Sequence, residues 1–398
     1  MIPLSRTQDR WLASPLLLER PSQNTIIMHK RLIALCYGTR PQVIKASRLS
    51  AALARSYDVI TVDTGQHYDY ELNALLYEQL GVRAADVFLD VGSSDHATQT
   101  SAILVRAAVF LRERAPVAVV VIGDTNSTLG CALAAAQLSI PIVHVEAGLR
   151  SGNLAMVEEI NRRIVDSIAT VLCTPSERAA EQLRLENVLA AVVTTGDIAR
   201  DALIGQLERI EKLRVEGLPP AGEPYVFATL HRAELTGDRA CLESVLCALG
   251  SIAMPVVLPM HPGTRSTVDR LGLGHSIPAN VRVKKPFGYL ETLVSIRDAA
   301  AVVTDSGGVQ REAYWMGTPC VTMRRETEWT ETVERGANRL VSPCDARVSL
   351  GAAVQDAVAG ARDWDRDAYG NGHAADAITA SLELAERFSA TAKRSDFA

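Results

Sequence analysis

From Leu32 onward the chain alternates between two hydrophobic periods. Short apolar, β-rich runs recur at 32–37, 59–63, 117–122, 141–145, 171–174 and 192–195. Between them apolar residues fall at helical spacing over 41–53, 71–80, 98–114 and 128–138. Strands without a polar face, alternating with amphipathic helices, are what a parallel sheet covered on both faces requires. The pattern restarts at 225–229 and continues through 255–259, 281–284, 301–304, 320–322 and 339–341. Separating the two series is Glu-Gly-Leu-Pro-Pro-Ala-Gly-Glu-Pro at 216–224, whose glycines and prolines break both periods. The expectation is an α/β chain of two doubly wound domains, 29–215 and 225–372, facing each other across a cleft.

Residues 1–28 lie outside this pattern. Leu12 to Leu18 is largely apolar, but Pro15 interrupts it and Glu19-Arg20 ends it, with no small-residue cleavage site beyond. A disordered extension fits better than a signal peptide.

In doubly wound sheets ligands collect at the carboxyl ends of the strands, and polar residues gather there. Gly38-Thr39-Arg40-Pro41 follows the first strand, with Lys45 one turn into the next helix, and Thr64-Gly65-Gln66-His67 follows the second. Gly123-Asp124-Thr125-Asn126 follows 117–122, and His144, Glu146 and Arg150 come from the next strand end. In the second half, His231-Arg232 and His261 follow strands. So does Thr304-Asp305-Ser306-Gly307-Gly308-Val309-Gln310, which opens a helical pattern running to Met316. Strand, Ser-Gly-Gly, helix aims backbone N–H groups and a positive helix end at a phosphate, and two glycines let the main chain come close to it.

Composition narrows the classes. Apolar residues make up 47% and charged residues 22% of 398, with a net charge of −5, so there is no general attraction to nucleic acid or to an anionic membrane. Phosphate binding must be local. No apolar run reaches the roughly 18 residues that span a bilayer. The seven cysteines are scattered, without a C-x-x-C pair, and most sit in apolar strands or helices. They read as small hydrophobes in a reducing cytoplasm. No metal-ligand spacing appears among the eight histidines, no G-x-G-x-x-G follows the first strand, and there is no G-x-S-x-G. These absences give no sign of a metal site and weaken the case for NAD.

Arg40, Lys45, His231, Arg232 and the amides of Ser306, Gly307 and Gly308 form a candidate diphosphate clamp. A cation at a helix N-terminus is unfavourable unless an anion sits there. Asp124, Glu146 and Glu158 are the acid/base candidates, since partial desolvation at the inner end of a sheet raises a carboxyl pKa toward a useful range. Each has a plainer alternative: Asp124 as a helix N-cap, Glu146 as an ion-pair partner of Arg150, and Glu158 as a favourable charge on a first helical turn.

Taken together, GTRPQVIK (38–45), TGQH (64–67), GDTNSTL (123–129), HVEAGLRSGN (144–153), EEINRR (158–163), TLHRAE (229–234), HP (261–262), TDSGGVQREA (304–313), TEWTETVERG (327–336) and YGNG (369–372) resemble the UDP-N-acetylglucosamine 2-epimerase family, in order, over about 30–387. The resemblance implies a GT-B fold of two Rossmann-like domains, a C-terminal helix within 373–398 that crosses back to the first domain, and a cytoplasmic homodimer. It implies inversion at C2 of UDP-GlcNAc without a cofactor: UDP is eliminated as a base removes the C2 proton, then adds back to 2-acetamidoglucal as C2 is protonated from the other face. The protons lost and gained lie on opposite faces of the ring, so one carboxylate cannot serve both.

Carried onto this chain, Asp124, Glu146 and Glu158 match the catalytic carboxylates and His231 the histidine near the diphosphate. Arg40, Lys45, His261, Ser306, Gly307 and Glu312 match residues that hold UDP, and Pro286-Phe287 the uracil-contacting stretch. Gln66 and His67 match two residues of an allosteric UDP-GlcNAc site, which favours the non-hydrolysing type. Departures are Gln42 for the usual Glu, Val157 for Pro, Leu154 and Ala155 where basic residues are frequent, and Trp329 for Arg. The substitutions around Glu158 bear on allosteric control. The TEWxE version occurs in relatives acting on oxidised sugars, so a UDP-diacetamido-uronate is an alternative substrate. A hydrolysing epimerase, a GT-B glycosyltransferase and a non-catalytic nucleotide-sugar sensor are the other readings.

Overall fold

The structure, a computed structural model, describes residues 30–66 and 76–395. The expected extension at 1–28 and His67 lie outside the described residues, as does the first half of the helix expected at 71–80.

Two parallel sheets carry the fold. The first has seven strands in the order β3-β2-β1-β4-β5-β6-β7, and the second six in the order β10-β9-β8-β11-β12-β13. The first seven are Leu32–Tyr37, Asp58–Asp63, Val87–Phe88, Ala118–Ile122, Ile142–Val145, Val171–Thr174 and Ala191–Thr194. The second set is Val226–Thr229, Val256–Pro259, Val281–Lys284, Ala301–Thr304, Cys320–Thr322 and Asn338–Leu340. Sequence periodicity misses β3 because two residues at a sheet edge carry no period. Central strands are continuously apolar because helices cover both faces; all five residues of β4 are buried.

In each sheet the strand order reverses once, between β1 and β4 and between β8 and β11. At these switch points neighbouring connections run off to opposite faces and leave a crevice at the strand ends. The loops after β1, β4, β8 and β11 therefore flank the site.

The two halves are joined by side chains as well as by the connector. Leu149, Leu203 and Ile210 pack with Leu290, Tyr314, Trp315 and Trp329 in one apolar cluster. The helix Ala374–Ser395 returns to the first sheet, burying Ala374, Ile378, Leu382 and Ala385 among Leu49, Leu53 and Val143. Asp201 accepts from the first amides of that helix, Ala374 N at 3.1 Å and Ala375 N at 2.8 Å, where a carboxylate also complements the helix dipole.

The reading of the scattered cysteines, most of them as small hydrophobes in a reducing environment, is corrected for one pair. Cys241 and Cys344 are 103 residues apart in sequence, yet their Cα atoms are 4.7 Å apart and they form a disulfide. Sequence spacing is silent on such a contact, because helix Arg239–Ala248 meets the Pro343–Asp345 turn only through the tertiary fold.

Candidate active site

The first rim of the cleft is built from the loops after β1, β4 and β5. Gln42 stitches two of them together. Its Oε1 accepts from Gly38 N at 3.0 Å and Thr39 N at 3.1 Å, while Nε2 donates to Ile122 O at 2.6 Å and Thr128 Oγ1 at 3.0 Å. A glutamate has no N–H to give Ile122, so this stitch belongs to glutamine. Gly38 is required by close approach, since a Cβ there would fall 2.0 Å from Thr64 Oγ1.

Glu146, just past β5, has a φ of +68°, a region costing a non-glycine residue on the order of 1–3 kcal/mol unless its surroundings hold it. Two cations hold it. Lys45 bonds Oε2, and Arg311, reaching over from the second half, donates to Oε1 at 2.6 Å. Arg311 also bonds Asp197 and stacks 3.9 Å from the centre of the Trp329 ring. Burial would push Glu146 up, but Lys45 and Arg311 outweigh it and hold the carboxyl at about 2. Asp197 moves the other way, because burial outweighs its share of Arg311.

Asp124 bonds Arg162, whose other nitrogen donates to Glu159 at 2.9 Å. Arg162 also lies 3.6 Å from Glu328 of the second half. Burial would raise Glu328, yet Arg324 outweighs it and holds it at about 2.

The second rim offers directional N–H groups rather than paired charges. Ser306 caps the helix Gly307–Met316, its Oγ accepting from Val309 N at 3.5 Å. The first amides of that helix, with Gly307 and Gly308, face a cavity of about 230 Å³. Neither glycine has a positive φ. A Cβ at Gly308 would meet nothing closer than 3.8 Å, and one at Gly307 would crowd Trp329 Nε1 at 3.1 Å. The glycines thus keep space open in front of the helix end and are not needed for its backbone conformation.

Among the predicted residues, Lys45, Asp124, Glu146, Glu158, His231, Arg232, Ser306, Gly307 and Gly308 line this one cavity. Arg40, Gln66, His261, Phe287 and Glu312 do not line it. His261 instead caps helix Pro262–Arg270, Nδ1 accepting from Gly263 N at 3.2 Å, and Phe287 stacks on Phe227. The Gln66 side chain is buried, accepting from Ser127 N at 3.0 Å and Ser127 Oγ at 2.6 Å.

One expectation is corrected by this geometry, and two alternatives are set aside. Lys45, a diphosphate candidate, bonds Glu146 and lines the same cavity as the Ser306 helix end. The Glu146 pKa is lowered rather than raised, because two cations overcome burial. Arg150 does not pair with Glu146 but with Asp166 at 2.7 Å and Glu186 at 2.6 Å. The helix after β4 is capped by Thr125, not Asp124, which leaves the Asp124 carboxylate to the cleft.

Sequence reasoning passed over Arg162, Arg311 and Glu328 as site residues. All three fall inside quoted motif segments, but only the fold shows that Arg162 and Arg311 pair with the carboxylates and that Glu328 pairs with Arg324 and lies beside Arg162. Among the described residues no group of side chains has the arrangement of a metal site, and no helix is long and apolar enough to cross a membrane.

Comparison with known proteins places this cleft in a family. Residues 51–383 match the family model described as UDP-N-acetylglucosamine 2-epimerase. The chain is 40% identical over 363 residues to UDP-2,3-diacetamido-2,3-dideoxy-D-glucuronate 2-epimerase of Pseudomonas aeruginosa, covering 87% of this chain and 97% of that one. Its structure superposes on the Methanocaldococcus jannaschii UDP-GlcNAc 2-epimerase, solved with UDP-GlcNAc and UDP, with a TM-score of 0.82 at 34% identity, covering 88% of this chain and 99% of that one. The calicheamicin glycosyltransferase matches at a TM-score of 0.50 and 16% identity over 91% of this chain and 98% of that one, a likeness of GT-B fold alone. With motifs, sheet topology and coverage in agreement, the chain belongs to the UDP-N-acetylglucosamine 2-epimerase family, a family of isomerases.

Proposed function

We propose that this protein is a cofactor-free, non-hydrolysing 2-epimerase that interconverts UDP-GlcNAc and UDP-ManNAc by eliminating UDP and adding it back. One observation carries the reading: Asp124, Glu146, Glu158 and His231 line the same cleft as the helix end at Ser306-Gly307-Gly308. In this reading the helix end and Arg232 receive the diphosphate, and the carboxylates face the sugar. Arg40, His261, Phe287 and Glu312, set outside the described cavity, would reach the nucleotide as the lobes close on it.

Glu146 is a weak base while both Lys45 and Arg311 hold it. A diphosphate that draws Lys45 away removes one of those cations and strengthens the base when substrate is present. Asp124 is tied to a single cation and Glu158 stands on the first turn of helix Val157–Ile168, so these two are the readier proton carriers for opposite faces of C2. A homodimer is supported by apolar side chains left exposed on one helical layer, Val105 and Val109 of His96–Arg114 and Ile160 of Val157–Ile168.

The test is incubation with UDP-GlcNAc in deuterated water. UDP-ManNAc carrying deuterium at C2 is the expected product, and two sugars that remain unlabelled would remove the proton-transfer mechanism. Free ManNAc with stoichiometric UDP would make the enzyme hydrolysing. A second substrate is favoured by one observation, the 40% identity to the diacetamido-glucuronate epimerase. Parallel assays with the UDP-uronate decide between the two by kcat/KM.

A further inference from the structure

His231 and Arg232 follow β8 at the second switch point, where the flanking strands diverge and their backbone amides have no strand to bond. Asp305, just past β11, takes both amides. Its Oδ2 accepts from His231 N and from Arg232 N, each at 2.8 Å. The two strand ends are tied further by Thr229 Oγ1 and Thr304 Oγ1, 2.6 Å apart.

The other oxygen of Asp305 is less well served. The residue is 1% exposed, and Oδ1 is buried without a hydrogen bond. Leaving such a group unsatisfied costs the desolvation of a buried charge. Oδ1 lies 3.4 Å from His231 Nδ1, close enough for an ion pair, and the His231 side chain is 44% exposed, with room to turn its ring. If the carboxylate only capped the β8 loop, one oxygen would be enough. A second oxygen aimed at an imidazole that lines the cleft is unexplained by capping.

We propose that Asp305 is a positioning residue for His231, resting on the functional reading above. The carboxylate accepts from Nδ1–H, which fixes the ring, and Nε2 on the opposite ring edge is left to the cleft. During elimination the C1–O bonding pair leaves with the diphosphate oxygen, and the C2–H pair becomes the C1–C2 double bond. The proton passes to a carboxylate. His231 forms no bond in this step; the ring held by Asp305 stands against the oxygen that gains charge, where an Nε2–H can donate to it.

The test uses the full chain labelled with ¹⁵N, with the His231 signals assigned by their loss in His231→Asn. In Asp305→Asn the side-chain carbonyl still accepts from the two backbone amides, but an NH₂ group faces Nδ1 and cannot accept from it. The expected results are an Nδ1-protonated His231 in the parent protein and a shift to the Nε2–H tautomer in the variant. The variant's kcat should fall roughly 10²-fold with KM changed less than about threefold. His231→Asn/Asp305→Asn should be no slower than His231→Asn alone. An unchanged tautomer, or an equal kcat loss with and without His231, would overturn the proposal and leave Asp305 a loop cap. Should Asp305→Asn fail to fold, a parent spectrum showing Nδ1 unprotonated overturns it just as directly. Absence of any epimerisation by the parent protein defeats the functional reading instead, and the tautomer measurement still decides the dyad.

Discussion

On the first rim of the cleft, carboxylates and cations are already matched: Glu146 with Lys45 and Arg311, and Asp124 with Arg162. On the second rim the polar groups are helix-end amides and His231, with the carboxylate Asp305 set behind them. Matched pairs contribute little outward field, while uncompensated amides at a helix end carry about half a positive charge. The second rim is therefore the one suited to a phosphate. The first is suited to a neutral ring whose protons must move, because its charges are held in place before any ligand arrives.

The largest effect that can break this comparison is on rate. Under the proposed function, Asp124→Asn and Glu146→Gln lower kcat by roughly 10²–10⁴ with smaller changes in UDP binding, as expected for losing an acid or base. Steady-state kinetics and a UDP titration check both arms. Loss of UDP affinity equal to the loss of rate would mean that the first rim holds the nucleotide after all.

How much of this was legible in the sequence follows the same division. The strands and the helix end at Ser306-Gly307-Gly308 were readable because each is a local pattern: an apolar run, a turn, a cap. The carboxylates and His231 were readable as polar residues at strand ends. Their partners were not. Arg311 sits one helical turn into Gly307–Met316 and looks like an ordinary helix residue until the fold carries its guanidinium across to Glu146 and Asp197. The Lys45 partner is hidden for the same reason: the glutamate that it bonds lies 101 residues away in sequence. Burial of Glu146 is legible from its place at a strand end, but the sign of its pKa shift depends on which cations the fold delivers.

Stability separates the two cations on Glu146. Arg311→Met removes a guanidinium that is 6% exposed in its side chain and leaves Glu146 and Asp197 facing each other. Breaking a buried pair from one side costs about 3–5 kcal/mol, and the loss of stacking on Trp329 adds to it. Lys45→Met leaves Glu146 still bonded to Arg311 and should cost less. Urea denaturation of both variants checks the order. Equal costs would show that the interlobe arginine is no more important to the fold than the lysine within the first half.

The smallest effect is also the most specific, because its sign reverses between two neighbouring carboxyls. Around Glu146 two cations, Lys45 and Arg311, face three carboxyls, those of Glu146, Asp197 and Glu312, and the first two take the hydrogen bonds. Glu312 is left to burial, which pushes it up to about 7 against the attraction of Arg311 and Lys45. Its folded value thus lies above its ordinary 4.5, so the folded protein keeps a proton that the unfolded chain releases. The stability this gives is complete below about pH 4.5 and is lost as pH rises to about 7. Glu312→Gln, which mimics the protonated form, should therefore stabilise the protein at pH 8 and have little effect at pH 4.5. Because part of Glu312 reaches solvent, the gain at pH 8 is put at about 2 kcal/mol rather than the full value of the shift. Glu146 runs the other way. Held at about 2, it contributes stability above pH 4.5 that is lost on acidification toward pH 2, so Glu146→Gln is most damaging near neutrality. Relative to the parent, the urea midpoint of Glu312→Gln should rise between pH 4.5 and pH 8, while that of Glu146→Gln should fall between about pH 2 and pH 4.5 and change little above it; parallel curves would mean that the cations are shared evenly among the three carboxyls.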